Sequence, residues 1–581
     1  MEEKMITLTV DGVEVTVPAG TTVLEAAHKA NVRIPTLCYL KGINEIGACR
    51  MCMVDVGGRA PVAACTQPAT DGMKVTTNTP ALRDARRNTL EMILSNHNRE
   101  CTTCVRNKTC ELQALAEELG VREIAYPGEN IEYPLDKSSK SIIRDPNKCV
   151  LCRRCVATCT KVQNVGVLGM KERGFKTIVG PIYDMGMGEV PCIGCGQCIQ
   201  ACPVGAIYEV DDTKKVWAAL ADNTKHVVIH TAPSVRAALG ECFGLPMGTP
   251  VEGKMVAALR RMGFASVLDT NFAADLTIME EGTEFIDRLT NGGVLPLITS
   301  CSPGWINYCE HFYPEFIPNL SSCKSPMGMQ GAIIKTYYAE KMGWDPKDIF
   351  TVAVMPCTAK KFECARDEMG HDGLRDTDVV ITTRELGRMI AESGIQFTKL
   401  PDEKFDSIMG EGTGAAVIFG VTGGVMEAAL RTVAELVTGK ELEDVNFHAV
   451  RGIEGIKEAT LELAGKTVRV AVANSTGAAS QLLDAVKSGE KQYDFIEIMG
   501  CPGGCVTGGG QPIVSSQAKM DVDPRVERAK ALYTIDEMNV HRKSHENEEV
   551  KTLYKEFLEK PGSHKSHELL HTTYTAKKKY L

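Results

Sequence analysis

The sequence lacks the features that would place the protein at a membrane or on nucleic acid. It contains no run of about 18 apolar residues, so no segment qualifies as a transmembrane helix. The N-terminal stretch MEEKMITLTVDGVEV carries acidic residues where a signal peptide needs a basic start and an apolar block. The net charge is −9, whereas phosphate binding needs a basic surface. We therefore expect a cytoplasmic protein that binds neither a membrane nor nucleic acid.

Two signatures of nucleotide binding are also missing. No G-x-G-x-x-G opens a strand–helix–strand unit, so we expect any NAD(P) site to lie on another chain. The glycine-rich stretch 503–510 lacks the GxxxxGK[ST] spacing of a phosphate-binding loop. We interpret these glycines as allowing the backbone to approach a bulky cofactor closely.

Cysteine, in contrast, is abundant, with 23 residues. Fifteen lie between Cys38 and Cys202, and eight lie between Cys242 and Cys505. In a reducing compartment this count indicates metal ligation, because a disulfide framework is typical of small exported proteins. Four cysteines fit no motif and are interpreted as buried small apolar residues: Cys242, Cys309, Cys323 and Cys364.

At 581 residues the chain predicts about four domains. Beyond residue 213, apolar strands such as HVVIHTAP and FTVAVMPC alternate with helical stretches, and three strands run directly into a cysteine. We expect an α/β catalytic domain of mixed or parallel sheets with helices, preceded by α+β ferredoxin-like iron–sulfur domains. The expected boundaries are 1–80 (2Fe–2S, plant-type), 81–135 (4Fe–4S with one histidine and three cysteine ligands), 136–212 (two-cluster 4Fe–4S ferredoxin), 213–525 (catalytic) and 526–581 (C-terminal helical tail).

The first cysteine group follows a ferredoxin-like opening. Residues 5–17 alternate apolar and polar around Asp11-Gly12, which predicts a β-hairpin, and residues 21–31 look helical. The spacing C-x10-C-x2-C-x12-C then predicts a 2Fe–2S cluster. A four-cysteine zinc site is the plainer alternative. The four ligands would be Cys38, Cys49, Cys52 and Cys65.

The second group combines one histidine with three cysteines, in the order His97, Cys101, Cys104 and Cys110. Structural zinc would suit these ligands, and a lone histidine is more often an ordinary core or surface residue. The group lies between two cluster modules, where a redox-inert zinc ion would contribute nothing to an electron relay. We therefore predict a 4Fe–4S cluster with one imidazole ligand.

The third group is a tandem of two C-x2-C-x2-C-x3-C runs, the pattern of bacterial two-cluster ferredoxins. In that pattern each fourth cysteine ligates the other cluster. The first run lacks the usual proline, which does not prevent cluster assembly. One 4Fe–4S cluster is predicted on Cys149, Cys152, Cys155 and Cys202, and the other on Cys192, Cys195, Cys198 and Cys159. We expect the four relay clusters to act in series.

Three motifs of the large domain carry a resemblance to a known family. They are Thr299-Ser-Cys-Ser-Pro-Gly-Trp305, Met355-Pro-Cys-Thr-Ala-Lys-Lys-Phe-Glu363 and Glu497-Ile-Met-Gly-Cys-Pro-Gly-Gly-Cys-Val-Thr-Gly-Gly-Gly-Gln-Pro512. They resemble the three signature segments of the iron-only (FeFe) hydrogenases. The order of the N-terminal modules is similar to that of the long clostridial-type members, so the resemblance covers essentially the whole chain.

The resemblance implies reversible conversion of protons and electrons into H2 at an H-cluster. This cofactor is a 4Fe–4S cubane joined through one cysteine to a di-iron unit that carries CO, CN and an azadithiolate bridge. Cys357, Cys501 and Cys505 are implied to ligate the cubane, with Cys505 also bridging to the di-iron unit. Lys360 is implied to hydrogen-bond a cyanide, because an ammonium suits an anionic acceptor. The implied pocket lining is Ala232, Pro233, Ser234, Met355, Phe419 and Met499, although plain core packing also explains the methionines.

One position departs from the family pattern. The family usually has two adjacent cysteines in the first motif, a proton relay followed by a cubane ligand. Here Cys301 is followed by Ser302, and counting back from Trp305 places Cys301 on the relay and Ser302 on the ligand. A serine hydroxyl is far harder to deprotonate than a thiol. Either Ser302 is an unusual fourth ligand, or Cys301 ligates the cubane and the relay is altered.

The resemblance also implies a proton path through Cys301, Glu281, Ser321 and Glu284. Such a path needs titratable side chains within hydrogen-bonding reach of one another. Without the resemblance, the acidic pair in MEEGTEF would be interpreted as a solvated helix face.

Two alternatives are weighed against a hydrogenase. An electron-input subunit of complex I or of a molybdenum dehydrogenase would share the N-terminal modules but not the MPCxxK and CxxxC-GGG segments. A redox or H2 sensor, or a cluster-assembly protein, would not need Lys360 together with the proton path. The expected electron partners are ferredoxin, a flavin-containing NAD(P)H-binding subunit, or both, as in an electron-bifurcating complex.

Overall fold

The N-terminal part of the protein consists of small cysteine-rich units with short strands and helices. The computed structural model describes residues 4–463 and 465–579. The first unit contains β1 (Met5–Val10), β2 (Val13–Pro18), α1 (Val23–Lys29), β3 (Met53–Val54), β4 (Val62–Ala63) and β5 (Lys74–Val75). The following stretch contains α2 (Pro80–Ser95) and α3 (Glu111–Glu118). The tandem cysteine runs lie among β6 (Ile142–Arg144), α4 (Arg154–Ala157), β7 (Gly169–Lys171), β8 (Ile178–Gly180), α5 (Gln197–Ala201) and β9 (Ile207–Glu209).

The first hairpin forms where the alternating pattern predicts it. Ile6, Leu8 and Val10 of β1 are buried, while the residues between them are more exposed. Asp11 and Gly12 both have positive φ angles, 45° and 87°, which a tight turn between two antiparallel strands requires. β5 joins β1 in parallel and completes a three-stranded sheet.

The large domain is built on two four-stranded sheets. The first has the order β11 (Ser266–Asp269), β10 (His226–Thr231), β13 (Ile349–Met355), β16 (Val379–Thr382), and all its strands are parallel. The second has the order β12 (Leu297–Ile298), β19 (Phe495–Met499), β18 (Lys466–Asn474), β17 (Ile456–Leu463). In this sheet only the pair β17–β18 is antiparallel. A separate hairpin pairs β14 (Gly370–His371) with β15 (Leu374–Arg375).

Helices pack on both sheets and bury the faces of the sheets, as is typical of parallel sheets. Within the large domain they are α6 (Thr213–Leu220), α7 (Glu252–Arg261), α8 (Thr270–Asn291), α9 (Pro303–Phe312), α10 (Pro326–Ile333), α11 (Ala339–Met342), α12 (Ala359–Glu363), α13 (Thr383–Glu392), α14 (Gly414–Ile418), α15 (Gly424–Thr438) and α16 (Thr476–Lys487). In the part of the chain that the structure describes, no helix combines the length and the apolar character needed to cross a bilayer.

The C-terminal segment folds back onto the large domain. It contains α17 (Ala518–Asp521), α18 (Pro524–Met538), α19 (Glu548–Leu553) and α20 (His564–Leu570). Arg431 of α15 forms a fully buried ion pair with Asp536 of α18 at 2.8 Å. After α20, a β-bridge joins His571 to Cys323. The segment is therefore anchored beside α8 and α10, which position the site described below.

Candidate functional site

The carboxyl ends of strands from both sheets face one enclosed cavity. β10 leads into Ala232-Pro233-Ser234, β12 into Cys301-Ser302, β13 into Cys357 and β19 into Cys501. Functional groups at strand carboxyl ends are expected of open α/β sheets. The cavity is lined by every residue that the family resemblance places around the H-cluster: Ala232, Pro233, Ser234, Cys301, Ser302, Met355, Cys357, Lys360, Phe419, Met499, Cys501 and Cys505.

The donor chemistry of this cavity fits a soft metal cluster. Cys357, Cys501 and Cys505 are free thiols whose charges act on one another. Burial and the neighbouring Cys357 raise the pKa of Cys505 to about 12. Thiolates in so dry a site need compensating positive charge, which an iron–sulfur cluster supplies. The residues present therefore suit the cubane half of an H-cluster.

The Lys360 ammonium is held at the cavity wall by three oxygen atoms. Its Nζ donates to the Ser325 hydroxyl at 2.6 Å and to the Cys301 carbonyl at 3.2 Å. It also forms an ion pair with Glu363 at 2.6 Å. The motif MPCTAKKFE contains Glu363, but Ser325 is far from it in sequence and was not predicted. These contacts fix the position from which Lys360 can donate to a bound anion.

Cys301 and Ser302 have different surroundings. Burial raises the pKa of the Cys301 thiol, and the charges of Glu281 and Cys505 add to the increase. The Ser302 hydroxyl accepts a hydrogen bond from the Gly500 N–H at 3.0 Å, beside Cys501. Cys301 therefore lines the cavity together with the cysteine cluster and also experiences the charge of Glu281.

The acidic side chains implied in proton transfer lie along α8. Glu281 is fully buried, and burial, reinforced by the charge of Glu284, raises its pKa to about 8. The Ser321 hydroxyl donates to Glu284 Oε2 at 2.9 Å and lies within hydrogen-bonding reach of Glu281. Arg288 pairs with Glu284 Oε1 at 2.6 Å. The interpretation of this pair as a solvated helix face is wrong, because Glu281 is only 2% exposed.

The structure brings three of the four predicted groups of relay cysteines together. Cys38, Cys49, Cys52 and Cys65 contact one another through their thiols. One small cavity is lined by Cys149, Cys152, Cys155 and Cys202. A second is lined by Cys159, Cys192, Cys195 and Cys198. These are the two sets that the exchange of fourth cysteines predicts.

The His97 group has a feature expected of a metal ligand. His97 is 7% exposed, and its Nδ1 has no hydrogen-bonding partner within the described residues. Burial, with the nearby Lys148 and Arg99, lowers its pKa to about 4, so the imidazole is neutral. A buried neutral imidazole with an unpaired nitrogen suits ligation better than it suits a packed core.

The two N-terminal cysteine groups both lie against the Cys149 group, an arrangement that we call a fork and that adds a second route to the expected series. The Asn44 amide donates both to the Cys38 carbonyl, at 2.8 Å, and to the Cys152 carbonyl, at 3.0 Å. Arg106, within the His97 group, donates to the Cys202 carbonyl at 3.2 Å. Both N-terminal groups therefore adjoin the Cys149 group directly. Sequence order gave no signal for this branching.

The innermost relay group touches the cavity. The Gln197 side chain donates to the Thr507 carbonyl, two residues after Cys505, at 3.0 Å. A Cβ atom on Gly509 would clash with the Cys195 carbonyl. The glycine run therefore lets two protein backbones approach each other, and two of its members, Gly504 and Gly508, also line the cavity.

Among the four cysteines outside the motifs, the buried interpretation does not hold throughout. Cys309 and Cys323 are fully buried and Cys364 is half-buried, but Cys242 is exposed.

Comparison with protein-family models assigns each part of the chain. Residues 225–509 match the C-terminal domain of the iron-only hydrogenase large subunit, and residues 521–577 match the iron hydrogenase small subunit. Residues 3–80 match a 2Fe-2S iron-sulfur cluster binding domain, and 148–206 match a 4Fe-4S dicluster domain. Residues 86–125 match an iron-sulfur binding region of NADH-ubiquinone oxidoreductase. The chain therefore combines a module shared with complex I and a large domain of the hydrogenase type.

Individual relatives agree with this assignment over the full length. The chain is 48% identical to the NADP-reducing hydrogenase subunit HndD of Solidesulfovibrio fructosivorans, covering 98% of this chain and 99% of the relative. It is 44% identical to iron hydrogenase 1 of Clostridium pasteurianum, covering 98% and 100%. A solved variant of the [FeFe]-hydrogenase HydA1 from Chlamydomonas reinhardtii superposes with a TM-score of 0.57 at 44% identity, covering 63% and 99%.

The cysteines of the cavity, the match to the hydrogenase family model and the two full-length relatives all lead to one assignment. The chain belongs to the FeFe hydrogenases, a family of oxidoreductases that act on hydrogen.

Proposed function

We propose that this chain interconverts H2 with protons and electrons at the strand-end cavity, using an H-cluster held by Cys357, Cys501 and Cys505. The cofactor, when bound, supplies the metal centre at which H2 is formed or split. The protein holds the cluster, orients Lys360 towards it, excludes water and delivers protons and electrons. A sensor or a cluster-assembly protein would not need all of these features.

The observation that carries the proposal is the close packing of the Cys195 segment against the third cysteine motif of the cavity, where a Cβ atom on Gly509 would clash with the Cys195 carbonyl. Electron transfer from a ferredoxin-like module to a catalytic centre requires the two clusters to approach closely. The Gln197 side chain donates to the Thr507 carbonyl at 3.0 Å, and the Thr358 hydroxyl, next to Cys357, donates to the Gly194 carbonyl at 2.7 Å. The relay module is thus hydrogen-bonded to the segments that carry the cysteines of the cavity.

Proton delivery is proposed to use Cys301, Glu281, Ser321 and Glu284. The raised pKa of Glu281, about 8, allows its carboxyl group to take up and release protons near neutral pH. The Ser321 hydroxyl lies between the two carboxyl groups and can pass a proton between them. Cys301 would exchange protons with the bound cofactor, because Cys301 lines the cavity and its thiol experiences the charge of Glu281.

Ser302 is proposed as the fourth cubane ligand, with Cys301 as the proton relay. Under this assignment Cys301→Ala should leave the cubane assembled but nearly inactive, and Ser302→Cys should make it more stable, since a thiolate is the softer iron ligand. If Cys301 is the ligand instead, Cys301→Ala should lose or remodel the cubane and change its paramagnetic signal. An intact cubane with normal activity in Cys301→Ala would contradict both assignments.

The proposed cofactor set is one 2Fe–2S cluster, three relay 4Fe–4S clusters, one of them with His97 as a ligand, and the H-cluster. The relative HndD is named as a subunit of an NADP-reducing hydrogenase, so we propose a flavin-containing NAD(P)H-binding subunit as the electron partner. Ferredoxin is the alternative partner. A reducing compartment such as the cytoplasm suits the unpaired cysteines.

The test is H2 turnover by the anaerobically matured full chain with a reduced viologen dye, combined with infrared spectroscopy. The expected result is rapid H2 evolution, bands of bound CO and CN, and about 20 iron atoms per chain. Bands without turnover would support a sensor, and appreciable zinc in place of iron at the His97 group would contradict the assignment of that cluster.

A further inference from the structure

Three side chains with metal-binding atoms, outside every cysteine motif, meet at the outer end of the proposed proton path. A carboxylate oxygen of Glu284, the Cys323 sulfur and a ring nitrogen of His571 all lie within 4.8 Å of one another. The Cys323 side chain is fully buried, and the side chains of His571 and Glu284 are 7% and 15% exposed. His571 arrives from the C-terminal segment and is held there by its β-bridge to Cys323.

These donors are the ones that Zn2+ prefers, and three protein ligands would leave its fourth position for water. Oε1 of Glu284 pairs with Arg288, while Oε2 lies 3.9 Å from the Cys323 sulfur. Oε2 also accepts hydrogen bonds from the Ser321 hydroxyl and the Ser322 N–H, with which a cation would compete. His571 Nδ1 contacts the Ser322 hydroxyl at 2.8 Å, and Nε2 lies 3.2 Å from a Glu280 oxygen. A metal on Nδ1 would displace the Ser322 hydroxyl and keep Glu280 as the carboxylate that orients the ring.

We propose that a thiophilic divalent cation such as Zn2+ binds to Glu284, Cys323 and His571 and thereby closes the outer end of the proton path. The coupling is a competition for one atom, because Glu284 Oε2 also accepts the hydrogen bond from Ser321 at 2.9 Å. A cation on this oxygen removes the acceptor that joins Ser321 to Glu284. The inhibitory part of the proposal rests on the proposed proton path, whereas the binding part does not.

Binding must release the thiol proton of Cys323 to water, because zinc binds the thiolate. Burial, followed by the charge of Glu284, raises the pKa of this thiol, which opposes the release. The two positive charges of the cation counter both effects, as they do at other thiolate–zinc sites. The resulting set of one carboxylate, one thiolate and one neutral imidazole neutralises the charge of the ion.

The binding test uses the fully cluster-loaded chain, so that iron occupies the cysteine motifs. Equilibrium dialysis with Zn2+ should find one additional zinc ion per chain that is removed by a chelator. Cys323→Ala and His571→Ala should each weaken this binding by more than about tenfold. Cys309→Ala is the matched control, since it removes another fully buried thiol outside the motifs and should leave zinc binding unchanged.

The inhibition test measures dye-linked H2 evolution in the same four proteins. Without zinc, Cys323→Ala and His571→Ala should retain turnover close to that of the unaltered chain. With zinc, the unaltered chain and Cys309→Ala should lose most of their turnover, reversibly, while the two site variants require more than about tenfold higher zinc.

Failure of dialysis to find the additional ion would overturn the site, even if Glu281→Gln shows that the proton path is correct. Binding that depends on Cys323 and His571 but leaves turnover unaffected would overturn the coupling and count against Glu284 in the path. Equal inhibition of all four proteins would also overturn the proposal, because zinc would then act elsewhere.

Discussion

The relay region and the catalytic domain use cysteine in opposite ways. In the relay, most ligands lie a few residues apart in short runs such as Cys192, Cys195 and Cys198, and each of the two tandem clusters takes its fourth ligand from the other run. In the catalytic domain, Cys301, Cys357 and Cys501 are separated by 56 and 144 positions and meet only because their strands end at one cavity. Spacing therefore predicts a relay site directly, whereas the catalytic site depends on the whole fold.

The largest expected difference in H2 turnover is between a variant that lacks a catalytic-domain cysteine and one that lacks a relay cysteine. Cys505→Ala should abolish H2 turnover while leaving the relay clusters, with about 14 iron atoms, in place. Cys49→Ala should lose only the 2Fe–2S cluster and retain dye-linked turnover, since a dye can reduce the remaining clusters. Iron analysis and turnover assays check both variants. Loss of the relay clusters in Cys505→Ala would mean that the two regions do not assemble independently.

Proton delivery, like the catalytic cysteines, should depend on residues that only the fold of the large domain brings together. Glu281→Gln keeps the shape and hydrogen bonding of the side chain but removes the titrating group, so turnover should fall by at least about a hundredfold while the infrared bands of the H-cluster remain. Glu280→Gln, on the same helix, is the matched control and should have a much smaller effect. Its carboxylate bonds Tyr554 and Gly562 in the C-terminal segment. Near-normal turnover in Glu281→Gln would show that protons take another route.

The fork predicts that either N-terminal branch can be lost without stopping electron flow. Cys101→Ala should lose one 4Fe–4S cluster but keep dye-linked turnover within about tenfold of the unaltered chain. Electrons can still enter through the Cys38 group, which Asn44 links to Cys152. A strictly serial relay would lose the route from the Cys38 group in this variant, so a 2Fe–2S cluster that H2 no longer reduces would contradict the fork.

The smallest expected effect is a pH dependence of stability. The Glu281 carboxyl has an ordinary pKa of 4.5 when unfolded and a raised pKa of about 8 when buried. Between these values the folded state holds the additional proton, so this group makes the protein less stable as pH rises. From about pH 5.5 to about pH 7.5 the loss should be about 2–3 kcal/mol. Thermal unfolding under anaerobic conditions should show a smaller decline in Glu281→Gln, and an equal decline would mean that Glu281 is not buried as a neutral acid.

Local features of the fold were largely predictable from the sequence. The alternation in residues 5–17 predicts the β1–β2 hairpin, and the apolar stretches before Cys357 and Cys501 are indeed strands β13 and β19. The helical character of residues 21–31 corresponds to α1. Each of these predictions rests on the regular spacing of apolar residues within one short segment.

Features that depend on distant segments were not predictable. Ser325 reaches Lys360 because α10 begins beside α12, and nothing in either segment indicates the contact. His571 lies 248 positions from Cys323, in a segment interpreted only as helix and coil. The fork through Asn44 depends on an amide in a loop without any motif. Such contacts follow from tertiary packing, which overrides local pattern.

The most direct test of the account is whether H2 alone reduces the relay clusters. The matured chain, without dye or partner protein, is exposed to H2 and the visible absorbance of its iron–sulfur clusters is followed. If the cavity and the relay form one circuit through Cys195 and Cys501, H2 should bleach the unaltered chain rapidly and leave Cys505→Ala oxidised. Clusters that dithionite reduces but H2 does not, in a chain with a complete H-cluster, would contradict the account.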